Sequence, residues 1–359
     1  MTKLILHLGF AKTGTTSLQD SLNVSRKSLL DFGVLYPETL FDDLHTMLIP
    51  YLMGTEHTPP YIKCKFVDET TLAKAATDAW DLVLTGIAEH SPSIIVLSSE
   101  HLGELTAHSC FAEAIDRLSE LATDINIVAY VRSPSSEYIS YAQEQLKAGR
   151  LPPRPDQMKS PRDRLENLMK IPGISMSVCP FQEDSLIGND IRVDFATRFL
   201  PKGALEAIDY KRVNRNKSIS AEAMAVLERY VRDEFSDKQG DLAKLTYASV
   251  RELIRIDREM PGFMAPRYKP VVAQTIHDNA RDLDWLAENF GVTLNAPKFA
   301  TGATERVTAP GNVMFRVRDF CVVNEDRFGQ LLMQFENGAT LAQQTVSIWR
   351  KRLAGILGI

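Results

Sequence analysis

The chain has 359 residues, 44% of them apolar and 24% charged, with 19 glycines and 18 prolines. That leaves room for a sizeable core and argues against a disulfide-stapled mini-protein, a disordered chain or a fibrous repeat. Forty-one Lys and Arg against 46 Asp and Glu leave a net charge of -5, so a generic nucleic-acid binder is disfavoured and any polyanion site has to be local.

The N-terminal apolar run, Leu4 to Leu8, is interrupted by His7 and too short for a signal segment, and no stretch reaches transmembrane length. A cytoplasmic location is therefore the expectation. Cys64, Cys110, Cys179 and Cys321 never form C-x-x-C, which predicts reduced thiols and neither a zinc site nor a redox pair.

Residues 3 to 8, KLILHL, predict a short buried strand. The turn GFAKTG follows, and Leu18, Leu22 and Leu29 then recur at helical spacing up to a stop at Gly33. Further strands are predicted at Val34 to Tyr36, Ser93 to Ser98, Ile125 to Val131 and Ser175 to Cys179, with helices at Thr70 to Glu89 and Phe111 to Leu121. Strands alternating with helices of this length imply an α/β fold with a central parallel sheet. Leu151 to Pro161, with four prolines, reads as a surface loop. Strand signals nearly vanish beyond about residue 192, and helical periodicity dominates from Ala221 to Phe290. The expected organisation is one domain over 1–295, with an α/β core to about 200 and a helical part over about 201–295. A linker-like stretch follows at 296–313, and then a C-terminal extension over 314–359 with a last helix ending near Leu357.

The loop after the first strand, Gly9 to Thr16, has a G-x-x-x-x-G spacing and opens a helix. Amides in such a turn, with the positive end of the helix dipole, form an anion cradle. A nucleoside triphosphatase loop needs Lys directly after the second glycine, where this chain has Thr15, and SIIVLSSE and INIVAYVRS carry no strand-end aspartate for magnesium. The lysine stands earlier, at Lys12. ATP hydrolysis is disfavoured.

The string HLGFAKTGTTSLQ closely resembles the 5′-phosphosulfate loop, K-[ST]-G-T-T, of sulfotransferases that use 3′-phosphoadenosine 5′-phosphosulfate (PAPS). The resemblance implies a P-loop-like three-layer fold, with Lys12, Thr13, Gly14, Thr15 and Thr16 around the 5′-phosphate and Lys12 beside the bridging oxygen of the leaving group. Ser17 completes the loop set; it stands where animal cytosolic members carry a tryptophan that stacks on adenine. The family's 3′-phosphate site is a strand-end arginine followed eight residues later by a serine, which falls on Arg132 and Ser140. A guanidinium fork and a hydroxyl suit one phosphate. Within RVNRNKSIS, Arg212, Asn216 and Lys217 are candidates for closing over the nucleotide, the alternative being a solvated basic loop. The resemblance covers residues 3 to 295. It implies PAPS as co-substrate, adenosine 3′,5′-bisphosphate as product and no metal.

The resemblance also puts the base that deprotonates the acceptor at the end of the strand preceding Arg132, which makes it Glu100, with His45 as runner-up and His101 third. Tyr51, Tyr61, His45 and His57 lie where an acceptor would approach, and the expected acceptor is a hydroxyl or amine, a carbohydrate above all. The alternatives are a divergent P-loop kinase and a non-catalytic nucleotide-binding protein. The C-terminal SIWRKRLAGILGI suggests contact with a membrane surface or packing against the body or a second subunit.

Overall fold

The computed structural model describes residues 2–10, 12–38, 45–106, 108, 110–182, 184–210, 218–234, 247–280, 282–295 and 316–337. Five strands, β1 (Lys3–Leu8), β2 (Val34–Leu35), β3 (Ile94–Ser99), β4 (Asp124–Val131) and β5 (Ile174–Pro180), form one sheet in the order β2-β3-β1-β4-β5. Every pairing in it is parallel. The α/β expectation with a central parallel sheet holds.

Alternation along the strands sorts their side chains into two cores. Leu4, Leu6, Leu8, Ile95, Leu97, Ile125, Ile127 and Ala129 pack with Trp80 and Val83 of the helix Glu69–His90 and with Phe111 and Ile115 of the helix Cys110–Ser119. Ile5, Val96, Val128 and Tyr130 point the other way, onto Leu18 and Leu22 of α1 (Thr15–Val24) and Phe195 of the helix Ile191–Phe199. Helices thus cover both faces of the sheet. On the second face Tyr130 donates its hydroxyl to buried Asp194 (2.7 Å), which also accepts from Arg198 Nε and Ile187 N at 2.9 Å each. Burial and that carboxylate push the Tyr130 phenol well above its ordinary range.

The helix expected to run to Gly33 is divided. α1 ends at Val24 and a short helix, Arg26–Leu30, restarts after Ser25, whose Oγ accepts the Asp209 amide at 2.7 Å. The proline-rich stretch contains a 3₁₀ turn at Pro155–Gln157.

Among the described residues, those in Met1–Pro134, Lys159–Arg215 and Ala280–Asn295 form one compact unit, and those in Ser135–Met158, Asn216–Asn279 and Ala296–Ile359 form the second. The first holds the sheet. The second is built on the helices Ala221–Glu234 and Tyr247–Glu259 and on a helix over 325–337. At its centre Arg327, 7% exposed, donates Nη1 to Asp257, Glu222 and Ser220 at 2.9, 3.1 and 2.9 Å, and Nε to Pro261 O at 3.2 Å. Glu222 and Glu228 also accept the main-chain amides of Asn324 and Val317, so buried carboxylates fasten residues 316–337 into this unit. The linker-like stretch 296–313 and residues 338–359, with the membrane-surface expectation for SIWRKRLAGILGI, lie outside the described residues.

His7 is fully buried on β1, its ring edge-on to Tyr130 and Phe195 at 6.0 and 5.9 Å. Nδ1 lies 2.8 Å from Ser98 Oγ, and Nε2 has no partner among the described residues. Burial pulls its pKa from 6.5 down to about 3. The native imidazole therefore stays neutral across a window in which the unfolded one takes up a proton, so native stability falls with pH between 6.5 and about 3. The limiting slope from this group is roughly 1.4 kcal/mol per pH unit. Urea unfolding of wild type and His7→Gln across this window should show the shallower slope in the variant, and equal slopes would contradict the assignment.

Candidate anion site at the sheet switch point

The chain leaves β1 toward the β2 edge, whereas the connections leaving β3 and β4 run toward the β5 edge. The C-terminal end of β1 is thus a topological switch point, the place where open parallel sheets form a ligand crevice. The Gly9 to Thr16 loop occupies it. Gly9 N donates to Ser99 O at 3.1 Å, continuing the β1–β3 ladder by one step. A methyl at Gly9 would overlap Thr15 and reach within 3.1 Å of Glu100 Cα, so only glycine admits this approach.

Lys12 and Gly14 both have left-handed backbones, at φ 65° and 78°. Positive φ at alternate residues turns successive amides toward one concavity. Gly14 caps α1 with no side-chain bond, the first turn of α1 carries no acid, and Leu18 N donates to Gly14 O at 3.1 Å. The amides of Thr15, Thr16 and Ser17 precede that bond and face out of the positive end of the helix. Thr16 and Ser17 are half-buried in this turn. A Cβ on Gly14 would come within 3.0 Å of Phe181 Cε2, so the cradle also excludes side chains at its second glycine.

Two of the three threonine hydroxyls expected at the 5′-phosphate, those of Thr13 and Thr15, turn inward. Thr13 Oγ1 donates to Phe10 O at 2.7 Å and lies 3.4 Å from Thr15 Oγ1, and both side chains are buried. Here Thr13 and Thr15 brace the loop through their hydroxyls.

Arg132, the first residue after β4, comes to this loop and donates Nη1 to Lys12 O at 2.9 Å. Its guanidinium lies 5.6 Å from the centroid of Phe181, the residue after β5. Lys12, Gly14 and Arg132 are thus gathered in one place, at the ends of adjacent strands. Ser140 is on the helix Pro134–Lys147 and groups with the second unit, whereas Arg132 belongs to the first. Arg212, Asn216 and Lys217 lie outside the described residues.

Glu100 is half-buried at the first position of the helix Glu100–Leu105, its main chain beside Gly9. The preceding Ser99 has a buried hydroxyl with no partner among the described residues. His101 Nε2 is 2.8 Å from the Tyr61 hydroxyl. Tyr51 stacks on Trp80 at 4.8 Å, and His57 Nε2 is 3.3 Å from Cys110 Sγ.

His45 requires a correction. It is 1% exposed, its Nδ1 accepts the Ser98 amide at 2.9 Å, and the Nε2 that therefore carries the proton donates to Pro37 O at 2.9 Å. Both ring nitrogens are spent on main chain, which leaves no lone pair to take a proton from an acceptor. His45 is a tie between its own segment and β3. Ser98 is the node below the loop, since its oxygen also accepts Gln19 Nε2 at 3.1 Å and its hydroxyl faces His7.

Sequence reading did not single out Phe181 or Arg164, whose guanidinium is buried over the Phe10 ring at 4.9 Å. For Phe181 the available signal was its place one residue past the last parallel strand; for Arg164 none exists in a single sequence.

A phosphate-type dianion fits these residues: the cradle offers amides and a helix N-terminus, Lys12 and Arg132 supply positive charge, and both glycines hold space that a Cβ would fill. Among the described residues no cluster of three His, Cys, Asp or Glu is placed to hold a metal, and no helix is long and apolar enough to cross a membrane. Comparison with protein-family models, curated proteins and solved structures finds no match for this chain.

Replacing His45 by Ala orphans a buried amide and a carbonyl and leaves a ring-sized gap beside Tyr36, 4.5 Å away. The expected loss of unfolding free energy is roughly 2 to 5 kcal/mol in urea titration. A loss under about 1 kcal/mol would show that the tie is dispensable.

Proposed function

We propose that this chain is a sulfotransferase with a P-loop-like three-layer fold, which transfers a sulfuryl group from PAPS to a hydroxyl or amine of a carbohydrate or glycoconjugate. The observation that supports this reading best is the meeting of the K-T-G-T-T loop with Arg132, joined by the 2.9 Å bond to Lys12 O. The string alone is a motif; a strand-end arginine beside it adds a second anion-binding group. A cytoplasmic setting suits the four free thiols, Cys64, Cys110, Cys179 and Cys321.

When bound, PAPS supplies the activated sulfuryl group and departs as adenosine 3′,5′-bisphosphate. The amides of Gly14 to Ser17 hold its 5′-phosphate, and Arg132 meets the 3′-phosphate that distinguishes it from common nucleotides. Lys12 places an ammonium where negative charge grows as the leaving group departs, a contribution made mostly in the transition state. Glu100 accepts the acceptor's proton from the strand-end position beside Gly9.

Adenosine 3′,5′-bisphosphate without magnesium is expected to stabilise the protein by about 2.7 kcal/mol at one hundred times its dissociation constant, visible as a raised melting temperature. ATP with magnesium should do little, and an equal response to both would reject the reading.

Catalysis separates the two side chains. With labelled PAPS and a panel of glycans, lipids and phenols, Glu100→Gln should bind donor normally and lose roughly two to four orders of magnitude in turnover. Lys12→Ala should lower kcat far more than donor affinity. Normal turnover in Glu100→Gln would remove Glu100 from the base role, and a Lys12→Ala effect confined to donor KM would make Lys12 a binding residue only.

A further inference from the structure

Lys12 has a backbone conformation that a lysine does not favour by itself. At φ 65° its Cβ crowds the following carbonyl, a penalty that glycine escapes. Something nearby has to hold it there. Its own carbonyl receives the Arg132 Nη1 bond at 2.9 Å, a charge-assisted contact that fixes the plane of the peptide between Lys12 and Thr13. The guanidinium is itself held, 5.6 Å from the Phe181 centroid, and Phe181 N donates to Val131 O at 2.6 Å, fastening the end of β5 to the end of β4. The same ring borders Gly14, whose added Cβ would come within 3.0 Å of it. Phe181 and Arg132 together thus border both left-handed residues of the cradle.

We infer that Arg132 is a positioning residue for the loop as well as a ligand for a second anionic group, acting through the Lys12 carbonyl to hold the cradle open for the first. The two functions are compatible, because a guanidinium carries five N–H donors in a planar fork and can serve more than one acceptor. The consequence is coupling: a ligand with only one phosphate should still sense Arg132, although it carries nothing for that arginine to bind. The inference rests on the sulfotransferase reading for the ligand role of Arg132 and the choice of nucleotide probes, and on the Lys12 contact for the positioning role.

The test is a cycle on the full chain, titrating 5′-AMP and adenosine 3′,5′-bisphosphate into wild type, Arg132→Ala, Lys12→Ala, Lys12→Gly and the two double variants. Both Lys12 variants lack the ammonium, but only glycine adopts φ near +65° without strain. Arg132→Ala should weaken 5′-AMP by about an order of magnitude, in the wild-type and Lys12→Ala backgrounds alike. In the Lys12→Gly background the same change should cost less than roughly three-fold. Arg132→Lys, which keeps charge and loses the fork, replaces Arg132→Ala if circular dichroism shows the latter unfolded.

An unchanged 5′-AMP affinity in Arg132→Ala would overturn the positioning role and leave the donor reading standing, provided the bisphosphate still weakens. An equal loss of 5′-AMP in the Lys12→Ala and Lys12→Gly backgrounds would also overturn it, since the effect would then bypass the Lys12 backbone. If wild type binds neither nucleotide, the donor reading falls. Inorganic pyrophosphate then serves as probe in the same six proteins, with the same pattern expected and the same two outcomes overturning the inference.

Discussion

A hydrogen bond of 2.9 Å from the Arg132 guanidinium to the main-chain oxygen of Lys12 closes the mouth of the sheet. β1 and β4 are neighbours and parallel, so their C-terminal ends emerge side by side with nothing in the ladder to join them beyond the last pair, Leu8 with Ala129. The chain leaving β1 has to turn into α1 within six residues, and it does so by setting Lys12 and Gly14 left-handed. That turn aims amides outward and costs backbone strain at Lys12. The arginine at the end of β4 bonds the carbonyl of that same residue and brings positive charge to the loop. In the proposed reading, anion recognition and loop geometry both depend on that side chain.

Below the loop, the polar groups of the strand ends are nearly all occupied. Ser98 alone engages His45, Gln19 and His7, from three different segments. Such a node suits a buried strand end, where each unpaired amide or carbonyl carries a desolvation penalty. Ser99 Oγ and His7 Nε2 are exceptions among the described residues. The second unit solves the same problem with charge: Arg327 is surrounded by Asp257, Glu222, Ser220 and two main-chain carbonyls, which is what a buried guanidinium needs for its burial to be tolerated.

Much of the first unit was legible in the sequence, because β1, β3 and β4 are short apolar runs buried on both faces and the loop carries its glycines at a recognisable spacing. Glu100 could be placed at a strand end from SIIVLSSE alone. Sheet order could not, since it depends on which way each crossover turns. His45 looked like a candidate base because a histidine in a variable stretch resembles one; its fate was set by the Ser98 amide, 53 residues away in the chain. Thr13 and Thr15 matched the motif by type, yet a string of letters does not show that their hydroxyls turn toward Phe10 O. The break at Ser25 escaped notice for a similar reason, its hydroxyl being taken by Asp209. Local pattern specified elements and strand ends; the partners each side chain found, some distant in sequence and some within the same turn, decided which of them face outward.

The proposed function requires the loop and Arg132 to form one site for a ligand bearing two separated anionic groups. A crystal structure of the protein with adenosine 3′,5′-bisphosphate tests it most directly. The expected result is the 5′-phosphate against the amides of Gly14 to Ser17 and the 3′-phosphate against the Arg132 guanidinium, with the Arg132 bond to Lys12 O intact. A nucleotide bound elsewhere, or one whose 3′-phosphate points away from Arg132, would rule out that shared site.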